Sequence, residues 1–155
     1  MILVFSKKII NTFKVCFGVI CSTVILVSNS FAMITNCGKV EDAPAGTGSN
    51  CVAYVRYKLQ EDGYEMPSGW TTLKNKIDKI NRDFDDPEIG CVAVMRGDPK
   101  YGHVAYVENV WDDPETGILM ISIFETHWEG HYVSQRYGPL EDFEGKIYGY
   151  YDPSL

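Results

Sequence analysis

Cys51 stands in Ser49-Asn50-Cys51-Val52-Ala53-Tyr54, where a Gly/Ser-rich run gives way to apolar residues at helical spacing. A cysteine in the first turn of a helix feels the positive end of the backbone dipole and its unpaired N–H groups. Both favour thiolate over thiol and make the sulfur a nucleophile. Such a sulfur needs a base, and Gly102-His103-Val104 supplies an imidazole at the head of an apolar stretch. A third group must orient the imidazole, and Glu125 closes the next apolar run. Cysteine, histidine and carboxylate are the components of nucleophilic acyl transfer. Taken singly, a cysteine at a helix start is ordinarily inert packing and a histidine at a strand start a satisfied polar group. The combination carries the reading.

These residues need elements to position them. From Cys51, the residues Val52, Val55 and Leu59 fall on one helical face, with Ser49 or Asn50 as cap and Gly63 as stop. A second helix is expected from Thr71 or Thr72, with Leu73, Ile77, Ile80 and Phe84 on the apolar face. Lys74, Asn75, Lys76, Asp78 and Lys79 take the polar face, and Pro87 lies beyond the end. The period then changes. Cys91 to Met95, His103 to Val110, Leu119 to Phe124, Tyr132 to Arg136 and Ile147 to Tyr151 read as short strands between Gly, Asp and Pro. Helices first and strands after give an α+β class with an antiparallel sheet.

The run Asp112-Asp113-Pro114-Glu115-Thr116-Gly117 reads as a turn, so the strands on either side form a hairpin. Centring that turn between Pro114 and Glu115 sets His103 opposite Thr126, within a couple of residues. Ile121, Ile123, Glu125 and His127 alternate onto one face, which puts Glu125 or His127 within reach of the imidazole.

The amino terminus reads differently. Lys7, Lys8 and Lys14 precede an apolar run from Val15 to Val27, and Ser30 and Ala32 are the small residues a signal peptidase requires. Residues 1–32 are expected to be a secretory signal peptide, 33–49 an arm and loop, and 50–155 the folded domain. The apolar run is too short and too interrupted by Ser and Thr for a stable membrane span after cleavage. The formal net charge of −7 becomes more negative once the three leading lysines are gone. That excludes nucleic acid as a partner and adhesion to anionic polymers by charge. Cys37, Cys51 and Cys91 would remain in an oxidising compartment, an odd set that suggests one working thiol, with a Cys37–Cys91 disulfide left open. His127-Trp128-Glu129-Gly130-His131 spaces two imidazoles as a zinc site might. It lacks the His-Glu-x-x-His order, so no metal and no cofactor is expected.

From Asn50 to Pro153 the chain resembles the CHAP domain, the cysteine- and histidine-dependent amidohydrolase/peptidase family with a papain-like fold. The resemblance rests on an ordered set. It comprises Asn50-Cys51-Val52-Ala53-Tyr54-Val55, Pro87-Glu88-Ile89-Gly90-Cys91-Val92-Ala93-Val94, Gly102-His103-Val104-Ala105-Tyr106-Val107, Ile121-Ser122-Ile123-Phe124-Glu125-Thr126-His127-Trp128 and Ile147-Tyr148-Gly149-Tyr150-Tyr151. It implies Cys51 as nucleophile, His103 as general base and Glu125 as the orienting carboxylate. The family usually has Gln before the cysteine; here Asn50 is the candidate second oxyanion donor beside the Cys51 N–H. Where the family often shows Glu-x-Asn, this chain has Glu125-Thr126-His127, so His127 stands in the auxiliary position. Cys91 replaces a frequent Asp and reads as structural. Tyr54, Trp70, Trp128 and Tyr132 are candidate walls of a substrate groove, although core packing is the commoner fate of aromatics.

The implied activity is hydrolysis of amide bonds in peptidoglycan, by an N-acetylmuramoyl-L-alanine amidase or a cross-bridge endopeptidase, through a thioester. The leader fits a periplasmic or secreted location, and an inhibitor or immunity protein is a candidate partner. The competing class is a non-catalytic domain that keeps the fold as a binding or scaffold module of the cell envelope.

Overall fold

The computed structural model of the chain describes residues 34–47, 50–126 and 132–155, with backbone alone at 36–38. The leader read over 1–32, and Ser49, His127, Trp128 and His131, lie outside the described residues.

Helix α1 (Cys51–Glu61) begins where Asn50, with extended backbone, accepts the N–H groups of Val52 at 2.9 Å and Ala53 at 3.3 Å on its side-chain oxygen. This satisfies two of the donors a helix start leaves unpaired. The helix stops at Gly63, whose φ of 86° only glycine adopts without strain, and the Tyr64 N–H returns to the Leu59 carbonyl at 2.8 Å. Tyr54, Val55 and Leu59 form its buried face.

The second helix departs from expectation. Helix α2 spans only Leu73–Ile77, capped by Thr72, whose Oγ1 accepts the Asn75 N–H at 3.2 Å. Beyond it the backbone pairs with the sheet edge instead: the Asn81 N–H donates to Tyr150 O at 3.0 Å, and the Tyr150 N–H donates to Arg82 O at 3.0 Å. Two adjacent positions also change places, while Leu73, Ile80 and Phe84 stay partly buried and Lys74 and Asp78 exposed, as expected. Lys76 is 2 % exposed and Ile77 is 39 % exposed, the reverse of the amphipathic reading.

The strands are β1 (Thr35–Asp42), β2 (Val92–Met95), β3 (His103–Asp112), β4 (Leu119–Thr126), β5 (Tyr132–Pro139) and β6 (Ile147–Tyr151). They form one antiparallel six-stranded sheet in the order β1-β5-β4-β3-β2-β6. A 3-10 turn over Leu140–Phe143 links β5 to β6. The class is α+β, as the sequence pattern predicts. Strand β1 is the difference, because it falls in the stretch read as an arm and loop. Its outer residues are exposed, so no apolar alternation marks it, and main-chain pairing with β5 holds it in place.

The sheet buries both faces. Ala93, Met95, Ala105, Val107, Ile121 and Ile123 pack with Phe143 and Tyr150 on one side. Val92, Val94, Val104 and Tyr106 pack with Tyr54, Val55, Leu59 and Trp70 on the other, under α1. Strands β5, β4 and β3 lie between β1, which carries Cys37, and Cys91 at the head of β2. About four strand spacings of ~4.8 Å far exceed the reach of a disulfide. Cys91 is accordingly a free, buried thiol.

Candidate active site

Cys51, His103 and Glu125 come together where the start of α1 meets the start of β3 and the end of β4. The hairpin register explains the second pair. Tyr106 faces Phe124 and Val107 faces Ile123, and a one-residue shift follows between Val107 and Asn109. Continued toward His103, this register sets Ala105 beside Glu125 and makes Glu125 the diagonal neighbour of His103 on the same face. Diagonal positions are within reach of long side chains. The imidazole Nε2 lies 2.6 Å from Glu125 Oε2. That contact leaves Nδ1 for the sulfur, and the His103 side chain and the Val104 backbone are the groups that act on the Cys51 thiol to lower its pKa.

The loop before His103 is built to deliver it. Asp98 Oδ1 accepts the N–H groups of Lys100 at 2.8 Å and Tyr101 at 3.0 Å, and the Gly102 N–H donates to Asp98 O at 2.7 Å. Glycine is required at both ends of this turn. A Cβ at Gly97 would stand 2.9 Å from His103 Cβ, and one at Gly102, where φ is +62°, would stand 2.7 Å from Leu73 Cδ1.

Burial and partners set the charges. Glu125 is 2 % exposed, and burial alone would raise its pKa; the hydrogen bond and charge of His103 and the charge of Arg136 outweigh this and bring it to about 2. Burial likewise pulls the His103 imidazole down, but hydrogen bonds to Cys51 and Glu125 and their charges lift it to about 9. For Cys51, burial pushes the thiol up. The His103 hydrogen bond and charge, the Lys76 charge and the Val104 backbone overcome that and lower it below the ordinary thiol value. The arrangement therefore favours thiolate and imidazolium side by side. Cys91 is the contrast: burial and the charge of Asp152 push it up to about 12, an inert thiol.

Two charged residues here were not singled out by sequence. Arg136, on β5, places Nε 2.6 Å from Glu125 Oε1 and Nη2 2.8 Å from Oε2. The register pairs Glu125 with Ser134, so Arg136 is again a diagonal neighbour, a relation readable only once β4 and β5 are known to pair. Lys76, on α2, is buried with its Nζ 2.7 Å from Tyr101 O.

Other candidates fall elsewhere. Tyr54 is fully buried and Trp70 is 3 % exposed, with its ring edge-on to Tyr151 at 5.3 Å. Both are core residues under α1 rather than groove walls, because their bulk fills the space between α1 and the sheet. Tyr132 is half-buried and opposite Asp42 on β1. Asn50 is exposed at the mouth with its side-chain oxygen committed to the helix cap, which leaves its NH₂ as the available donor. Trp128 and His127 lie outside the described residues. Tyr101, two residues before His103 and 50 % exposed, is an aromatic neighbour that the sequence pattern did not mark.

No curated protein sequence matches the chain. A solved N-acetylmuramoyl-L-alanine amidase from Staphylococcus aureus is similar at 23% identity with a TM-score of 0.49. The match covers 65% of this chain and 30% of that one, so the chain spans about a third of the amidase's length. The CHAP domain profile matches residues 41–126, which takes in α1, β2, β3 and β4 and with them Cys51, His103 and Glu125. With more than half of its residues matched and its sheet in place, the chain belongs to the CHAP domain family.

Proposed function

We propose that this protein is an exported cysteine hydrolase that cleaves amide bonds in peptidoglycan, with Cys51 as nucleophile, His103 as acid and base, and Glu125 as the orienting carboxylate. The observation that carries the proposal is the row from the Cys51 sulfur through the His103 ring to a buried carboxylate 2.6 Å from Nε2. Family membership and the leader-like amino terminus support the substrate and the periplasmic or secreted location.

In this reading the Cys51 thiolate attacks an amide carbonyl carbon, and the oxygen takes up the negative charge beside the Cys51 N–H and the Asn50 NH₂. Each such donor is typically worth ~3 kcal/mol of transition-state stabilisation. The tetrahedral centre collapses as the C–N bond breaks, and the imidazolium of His103 gives its proton to the departing amine. A thioester remains. Neutral His103 then takes a proton from water, whose oxygen attacks the thioester; the carboxylate product leaves and the thiolate–imidazolium pair returns.

The test is mass spectrometry of purified peptidoglycan after incubation with the protein and with Cys51→Ala. New amine and carboxyl termini made by the wild type and absent with the variant are expected, and their position tells amidase from cross-bridge endopeptidase. Cleavage that survives Cys51→Ala overturns the proposal.

A further inference from the structure

Lys76 is 2 % exposed, and among the described residues no carboxylate forms a salt bridge with it. A buried lysine without a carboxylate is uncommon, because the ammonium gives up its hydration. Its Nζ instead donates to Tyr101 O at 2.7 Å and approaches Gly102 O at 3.5 Å. One turn earlier on the same helix, the Leu73 N–H donates to Lys100 O at 3.0 Å. Helix α2 therefore faces three consecutive carbonyls of the segment that ends at His103, and Leu73 closes against Gly102 so tightly that no Cβ fits between them.

The charged groups around this ammonium are few. Cys51 stands at the start of α1, and its charge and that of Lys76 act on each other. His103 on β3 lies between the sulfur and Glu125, and Arg136 on β5 faces Glu125. Lys74 on the same helix pairs with Asp78 at the surface. Among the described residues, the one group whose negative charge acts on Lys76 is the Cys51 sulfur.

We propose that Lys76 is a positioning residue of the Cys51 site: a buried ammonium that pins the chain immediately before His103 and holds positive charge beside the sulfur. The proposal rests on the reading of Cys51 as nucleophile. Lys76 adds to the thiolate stabilisation that His103 supplies, and its charge stays in place when His103 gives up its proton. Burial lowers the Lys76 pKa and the thiolate opposes that shift, so the two charges are mutually dependent.

The experiment is the pH profile of iodoacetamide alkylation at Cys51, followed on the Cys51 peptide by mass spectrometry, for wild type, Lys76→Met, Lys76→Gln and Lys76→Arg. Circular dichroism reports folding in parallel. Wild-type Cys51 titrating like a free cysteine would overturn the nucleophile reading itself. Given an activated wild-type thiol, Lys76→Met is expected to raise the midpoint by about one unit, a roughly tenfold slower reaction near pH ~6.5. Lys76→Arg is expected to stay within about twofold of wild type, because it keeps charge and donors. Should Lys76→Met fail to fold, Lys76→Gln, which keeps a donor without charge, decides the same point. A folded neutral variant with the wild-type midpoint overturns the role of Lys76 and leaves that of Cys51 standing.

Discussion

Glu125→Gln is nearly isosteric and removes one charge from the most buried part of the site. In the native protein that carboxylate meets His103 Nε2 at 2.6 Å and Arg136 at 2.6 and 2.8 Å while only 2 % exposed. A carboxamide has one oxygen and one NH₂, so it must turn a donor toward either the imidazole or the guanidinium, and both of those are donors. Lowering the Glu125 pKa from 4.5 to about 2 corresponds to about 3 kcal/mol of stability at neutral pH. Breaking a buried ion pair by removing one partner costs a similar ~3–5 kcal/mol. For a domain of this size the melting temperature should fall by about 10 °C. Because the lowered pKa makes the carboxylate stabilising above about 4.5, the difference between variant and wild type should shrink as pH falls toward about 2. Thermal denaturation across pH, with peptidoglycan hydrolysis measured below the melting range, is the assay. Activity should fall at least ~100-fold, since the imidazole loses its orientation and its counter-charge. A variant that melts with the wild type at neutral pH and retains the Cys51 alkylation profile would refute the argument.

Hydrolysis and alkylation should part company at high pH. As pH rises through about 9, the imidazolium that protonates the leaving amine is lost, so hydrolysis declines while alkylation of the thiolate stays on its plateau. Over the same range the raised His103 pKa gives stability that is complete below about 6.5 and disappears as pH passes about 9, which denaturation at several pH values reads directly. Asn50→Ser preserves the helix cap and removes the NH₂; stability should change by less than ~0.5 kcal/mol while hydrolysis falls at least ~10-fold, and equal activity would dismiss Asn50 as an oxyanion donor. Gly102→Ala forces a Cβ within 2.7 Å of Leu73 Cδ1 at a φ of +62°, so it should cost ~2 kcal/mol in denaturant titration and slow Cys51 alkylation by displacing His103.

Much of this site was legible because its parts obey local rules. Capping by Asn50 and the apolar spacing after Cys51 locate the helix start, and the Asp/Pro/Gly turn with the two-residue period of a strand sets Glu125 near His103. The remaining error was one position: the turn centres between Glu115 and Thr116, one residue later than read, and the β3–β4 register shift between Val107 and Asn109 takes back half of the resulting two-residue offset. Lys76 and Arg136 were hidden for a different reason. Burying a lysine on the polar side of an apparent amphipathic helix contradicts periodicity, and Arg136 gains meaning only from long-range pairing of β4 with β5. Tyr54 and Trp70 could have been lining or filling by composition alone, and the packing of α1 on the sheet decided for filling.

The heightened acidity of Cys51 is a property of the assembled fold and of nothing shorter. Its causes come from β3 and α2, far along the chain from the cysteine, and the imidazole is tuned in turn by β4 and β5. A polypeptide still emerging from synthesis carries only an everyday thiol. Maturation of the fold is therefore also the arming step, and the sulfur turns reactive only once α2, β3 and β4 have docked around it.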